Sequence, residues 1–226
     1  MVSKVLERIH AESAARLLGH DWQLLDIPEP LDFEVRANES VFGLEVRQVF
    51  ADQEVAYGSP MKRREAMSAH VIRDLASDYY ARGGSPVSAR FLGSLRSADC
   101  KSIVSAMLDN AVTYPNGRCV FKVERVKVYL TAVPPDMPEY RHWLCIDHRV
   151  GWLRDATSSE LQAAVDRKAG NLHLYRQKFS EIVLLLVADR AFNSGRIRAH
   201  EHLSIENPGY SAIYFLSHPE AVIRVA

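Results

Sequence analysis

The residues best able to do chemistry are Asp32, Glu34, Glu45 and Arg47, carried on two neighbouring stretches, 28–35 and 41–50. Both stretches alternate apolar and polar residues, as half-buried strands do, and the polar run Arg36-Ala37-Asn38-Glu39-Ser40 between them reads as a turn. The prediction is a β-hairpin with acids on both arms. Side chains alternate faces along a strand, so Asp32 and Glu34 share a face opposite Phe33 and Val35, and Glu45 and Arg47 share one opposite Leu44 and Val46. If those faces match, Asp32 and Glu45 converge. Two carboxylates on adjacent strands can hold a hard divalent cation such as Mg²⁺ or Mn²⁺, which binds one or two carboxylates and completes its shell with water and phosphate. The chemistry implied is metal-assisted hydrolysis of a phosphodiester. Acids on the solvent face of an amphipathic hairpin are also ordinary, so spacing alone leaves both readings open.

The elements around the hairpin must position those acids. Val2, Val5, Leu6, Ile9, Ser13 and Leu17 follow helical spacing and Gly19 supplies a stop, which predicts a helix over 2–18. Residues 22–27 read as a first strand. Pro60 opens a long helix to about Ala81, closed by Gly83-Gly84, with its apolar stripe confined to the later turns. Its start is basic (Lys62, Arg63, Arg64), which suits either a nucleic-acid backbone or a solvated helix end. A strand over 86–92 would complete a strand-helix-strand crossover.

Further on, Asp99 caps a helix over 100–112, residues 120–133 alternate strongly with a break, and 143–147 form another strand. Thr157 or Ser158 then caps a helix of about five turns, with Glu160 placed as in a capping box and Leu161, Val165, Leu172 and Tyr175 as its buried stripe. Residues 182–188 are apolar on both faces, as a central strand covered by helices requires. Residues 212–216 and 222–225 read as closing strands. The sum is an α/β chain with a mixed central sheet flanked by helices, organised as one domain.

An acid before one strand, then Glu45-Val46-Arg47 on the next, resembles the core of the PD-(D/E)XK nuclease superfamily, and in particular its uncharacterised bacterial members. That family's core runs helix, three strands, helix, strand, and residues 2 to about 93 can be read in that order. The resemblance implies a restriction-endonuclease-like core over about 1–95 with a C-terminal elaboration over about 96–226. It also implies a Mg²⁺-dependent nuclease with Asp32 and Glu45 as metal ligands. A first-helix glutamate sometimes reaches the metal in that family, which makes Glu12 a candidate third ligand, although Glu12 also stands four residues before Arg16 as an ordinary helical pair would. Leu31 separates Pro30 from Asp32, where the family proline directly precedes its acid. The family lysine is Arg47 here, and an arginine keeps its proton and cannot serve as a base. Some members move the lysine to a helix, which makes Lys168 the candidate for that role, beside the alternative of a solvated lysine. Whether the crossover helix is 60–81 or 158–176 decides whether Lys168 can approach Asp32.

Composition bounds these readings. With 226 residues, 47% of them apolar, the chain can bury a sizeable core. Lysines plus arginines equal aspartates plus glutamates at 28 each, so there is no global positive field, though a local basic patch is still allowed. Cys100, Cys119 and Cys145 are odd in number and widely spaced, which points to a reducing compartment and a cytoplasmic protein. The longest apolar run is too short to span a bilayer. The implied partner is nucleic acid, DNA ahead of RNA, with no membrane, and a homodimer is admitted. Two rival readings stand beside the nuclease. One is a degenerate relative that binds nucleic acid or a protein without cutting. The other is a structural or regulatory protein, with or without a metal at His200 and His202. Cys145-Ile146-Asp147-His148 is set aside, because its thiol and imidazole point to opposite faces.

Overall fold

The computed structural model describes residues 4–38, 40–53, 58–95, 99–137, 143–146, 153–200 and 202–226; Val2, Glu39, Asp147 and His148, named above, lie outside them. The chain begins with α1 (Lys4–Leu18), β1 (Gln23–Asp26), β2 (Phe33–Ala37) and β3 (Ser40–Gln48). β2 and β3 form the expected antiparallel hairpin, in register from Phe33 opposite Leu44 to Ala37 opposite Ser40. Asn38 takes a left-handed φ of 51° in the turn, a conformation asparagine tolerates better than most residues. The chain continues through α2 (Pro60–Ala81), β4 (Val87–Leu92), α3 (Cys100–Asp109), β5 (Arg118–Val123), β6 (Val126–Ala132) and β7 (Leu144–Ile146). It ends with β8 (Arg154–Asp155), α4 (Ser158–Ala169), α5 (Leu172–Tyr175), β9 (Ile182–Asp189), β10 (Ile197–Arg198), β11 (Ala212–His218) and β12 (Ala221–Arg224).

These elements form two compact units, residues 1–62 with 152–226, and residues 63–151. In the second unit, β5, β6, β4 and β7 make a four-stranded sheet in that order, with β4 antiparallel to β6 and parallel to β7. Its core gathers Tyr79, Phe91, Ile103, Met107, Leu130 and Trp143. Asp99 caps α3 as expected, accepting the Lys101 N–H. The expected return of residues 86–92 to the hairpin does not occur. β4 belongs to this other sheet, so the strand that completes the hairpin's sheet must come from beyond residue 95. A short apolar strand advertises its burial but not its partner.

The first unit carries a six-stranded mixed sheet in the order β1-β2-β3-β9-β11-β12. β3, β9 and β11 run parallel at its centre, and the outer pairs are antiparallel. Every residue of β9 is buried. Val183, Leu185 and Val187 pack with Ala11 and Ala14 of α1. Leu184, Leu186 and Ala188 pack with Leu161, Ala164, Val165, Leu172 and Tyr175 of α4 and α5. The expected five-turn helix is therefore two helices, interrupted at Gly170-Asn171. The buried face of α1 also differs from the expected stripe. His10, Ala11, Ser13, Ala14 and Ala15 are buried, while Val5, Ile9 and Leu17 are exposed. Small side chains let the helix approach the sheet, whose Phe33, Phe42 and Leu44 supply the bulk.

α4 is anchored by Glu160. The capping box with Thr157 is present, and the Glu160 carboxylate also accepts the Asp52 N–H at 2.6 Å and the Arg154 guanidinium. One buried carboxylate thus ties the segment after β3 to the start of α4. Its burial raises its pKa, but these bonds together hold it below the ordinary value. Glu160→Ala should cost about 2–3 kcal/mol in urea unfolding, because it removes a cap and strands the Asp52 amide.

Candidate functional site

The hairpin fixes Asp32 by its own hydrogen-bond arithmetic. Gly43 N–H donates to Glu181 and Val49 N–H to Val187, so by alternation the Val46 N–H points toward the β2 side. β2 begins at Phe33, and the Asp32 side chain stands in for one more strand residue: its Oδ2 accepts the Val46 N–H at 2.8 Å. Continuing the register by one step sets Asp32 beside Glu45. Lys4 of α1 donates to the Asp32 carbonyl oxygen, and its Nζ lies 3.7 Å from Oδ1.

Glu45 is only 1% exposed. Lys168, on the last turn of α4, forms an ion pair with Oε1, while Oε2 is buried with no hydrogen-bond partner. Burial pushes the Glu45 carboxyl up to about 7 and the charge of Asp32 adds to this, with Lys168 and the Tyr175 hydroxyl pulling back only part of the way. Burial raises Asp32 as well, against the Val46 N–H and the charges of Lys4 and Lys168. Arg47 lies two residues along β3 on the Glu45 face and is half-buried, and its Nε is unpartnered. Burial and the neighbouring charge of Arg167 lower its pKa, with Glu45 opposing.

Of the residues singled out by sequence, the structure brings together Asp32, Glu45 and Lys168, with Arg47 alongside. It does not bring Glu12. That side chain is exposed and lies about 140° round α1 from Glu7. The α1 glutamate coupled to Asp32 is Glu7, whose pKa is raised by burial and then by the Asp32 charge. Sequence reasoning missed Glu7 because it phased the helix on Val5, Ile9 and Leu17, which prove to be exposed. The basic start of α2 is split in character: Lys62 lies 4.0 Å from the Phe192 ring centroid and 4.9 Å from that of Phe50, whereas Arg63 and Arg64 are exposed. His200 and His202 are exposed with ring centroids 6.0 Å apart, and no third ligand joins them among the described residues.

Three carboxylates, Glu7, Asp32 and Glu45, thus hold their protons more tightly than usual next to the cations Lys4, Lys168 and Arg47. Such a cluster is short of positive charge at the acid pair and can accept a cation there, with an anion against its basic side. The sign of the pH effect follows from Glu45. The folded chain keeps this proton up to about 7, whereas the ordinary value is 4.5, so the native state loses stability as pH rises through that window and levels off above it. The loss is on the order of 3 kcal/mol. In metal-free buffer, Glu45→Gln should flatten the dependence of the melting temperature on pH across that range and be more stable than the parent at pH 8; an unchanged slope would show that Glu45 is not the group responsible.

Among the described residues, no helix is long and apolar enough to cross a membrane. No family model, curated protein or solved structure matches this chain.

Proposed function

We propose that this chain is a metal-dependent phosphodiester hydrolase acting on nucleic acid, a PD-(D/E)XK-like nuclease whose lysine stands on a helix. The observation that carries the reading is the buried Glu45 carboxylate: one oxygen on Lys168, the other with no close hydrogen bond and only the Tyr175 hydroxyl near the group, and a second carboxylate, Asp32, beside it. A lone ion pair does not account for the second acid or the orphaned oxygen. A hard cation, Mg²⁺ or Mn²⁺, fits an all-oxygen donor pair, and Glu7, whose proton affinity the Asp32 charge raises, stands on the same side as a further carboxylate. When bound, it supplies a Lewis acid and lowers the pKa of a coordinated water.

The remaining work falls to the chain's own groups. Asp32 is held in one orientation by the Val46 N–H, so its free lone pairs need no reorganisation. Lys168 offsets part of the cost of ionising Glu45 in an apolar setting and presents an ammonium where negative charge gathers on a phosphate. Arg47 keeps its proton and so contributes charge, not base chemistry. The order of elements supports a restriction-endonuclease-like core. α1, three antiparallel strands, α4 and β9 follow one another once residues 63–151 are read as an insertion.

The arginine in place of the family lysine favours a second reading, binding without cleavage. The two separate in one series. Duplex DNA, single-stranded DNA and RNA are incubated with the protein in Mg²⁺, Mn²⁺ or EDTA. Metal-dependent cleavage should fall about 100-fold or more in Asp32→Asn, Glu45→Gln and Lys168→Ala, with DNA the better substrate. Nucleic-acid binding that falls steeply with salt, survives these substitutions and brings no cleavage would give the second reading instead. Neither binding nor cleavage would end both.

A further inference from the structure

His10, Asp189 and His218 meet on the α1 face of the six-stranded sheet, far apart in sequence and unrelated to the hairpin acids. Asp189 ends β9 and His218 ends β11, and the parallel register sets them directly opposite one another. His10 comes down on them from α1, wholly buried, with neither ring nitrogen hydrogen-bonded. Its Nε2 is 3.5 Å from Asp189 Oδ2, while His218 Nδ1 is 3.7 Å from Asp189 Oδ1, and one ligand atom from each residue lies within 4.8 Å of the others. The Ala191 N–H fixes the carboxylate through Oδ1 at 3.0 Å.

We propose that these three side chains form a binding site for a first-row transition-metal cation such as Zn²⁺. Ligand atoms around a tetrahedral zinc with bonds of about 2.0–2.1 Å stand about 3.3 Å apart; here each imidazole lies 3.5 or 3.7 Å from its own oxygen of Asp189, and one ligand atom from each residue fits within 4.8 Å, so small side-chain shifts would close the shell. Two imidazoles and a carboxylate select zinc and its neighbours over magnesium, which prefers an all-oxygen shell. The arrangement is also hard to explain without a ligand. A wholly buried imidazole with no close hydrogen bond is costly to leave unsatisfied, and its neighbours, Asp189 at 3.5 Å and the His218 ring, stand just beyond that reach. His218 is the most exposed of the three, which leaves a side from which an ion and a fourth ligand can enter. The site is separate from the hairpin acids. Glu45 pairs with Leu184, five residues and about 17 Å along β9 from Asp189, and projects from the other face of the sheet. Its ligands come from α1, β9 and β11, so a bound ion would staple the first helix to the sheet.

The test is metal titration of the full chain after removal of metal with EDTA. Zn²⁺ should bind and raise the melting temperature both in the parent and in Asp32→Asn, the variant in which Mg²⁺ at the same concentration should give no shift, and Co²⁺ should give the visible absorption of a tetrahedral site. His218→Ala and Asp189→Asn should weaken zinc about 100-fold or more. His200→Ala/His202→Ala and Asp32→Asn should leave it unchanged. Absence of a zinc-specific shift in the wild-type protein overturns the proposal without any variant. So does zinc affinity that survives in folded His218→Ala, or that is lost with the His200/His202 pair. Because Asp32→Asn is in the series, failure here and failure of the nuclease reading are told apart.

Discussion

The parallel pairing of β3 with β9 is the constraint on which the rest depends. Parallel neighbours cannot be joined by a tight turn, so the chain must leave the sheet after Gln48 and come back over one face before Ile182. The return is made by α4 and α5, and the face they cover is the one that Glu45 and Arg47 occupy. Because β9 is buried on both sides, α1 has to close the opposite face. Lys168 meets Glu45 for this reason: a lysine on the helix just before β9 is delivered to an acid in the middle of β3. In sequence, the second unit, residues 63–151, falls within that same connection between β3 and β9.

The meeting is not a stabilising one on balance. Glu7, Asp32 and Glu45 all have raised carboxyl pKa values, with burial the leading cause in each, so the lysines recover less than desolvation removes. Elsewhere the chain shows what a well-satisfied buried acid looks like. Glu160 has two backbone N–H donors and an arginine, and its pKa is depressed. The contrast between Glu160 and Glu45 within one unit separates a carboxylate that holds structure from one that is left unfinished.

Much of this was legible from local pattern. The hairpin, the span of α2, the Asp99 and Thr157 caps and the burial of β9 follow from periodicity and capping chemistry, which involve residues within a few positions of one another. What failed was anything that depends on a distant partner. The apolar pattern of β4 is equally good for either sheet, and only pairing with β6 and β7 decides it. In α1 the rule that large apolar residues face inward broke down because the sheet supplied the bulk, and with the phase of the helix went the choice between Glu7 and Glu12. His10, Asp189 and His218 had no local signal to read, since each is an isolated residue whose neighbours in space come from three separate elements.

Arg47 is the remaining departure from the nuclease pattern, and the topology gives it a physical reading. A strand lysine beside the acid pair serves two ends, neutralising the second carboxylate and meeting the phosphate. In this chain Lys168 reaches Glu45 from α4, so on the proposed reading both duties pass to it and neither falls on the residue two places along β3. A guanidinium there is not constrained to titrate or to pair with Glu45, and its planar array of donors suits a phosphate better than an ammonium does. Its buried Nε lacks a partner, and its nearest influences are a like charge from Arg167 and the carboxylate of Glu45. On the proposed reading, an anion brought from outside would complete its donors. On the proposed reading, therefore, the arginine is the consequence of moving the lysine to the helix and does not by itself mark a dead site.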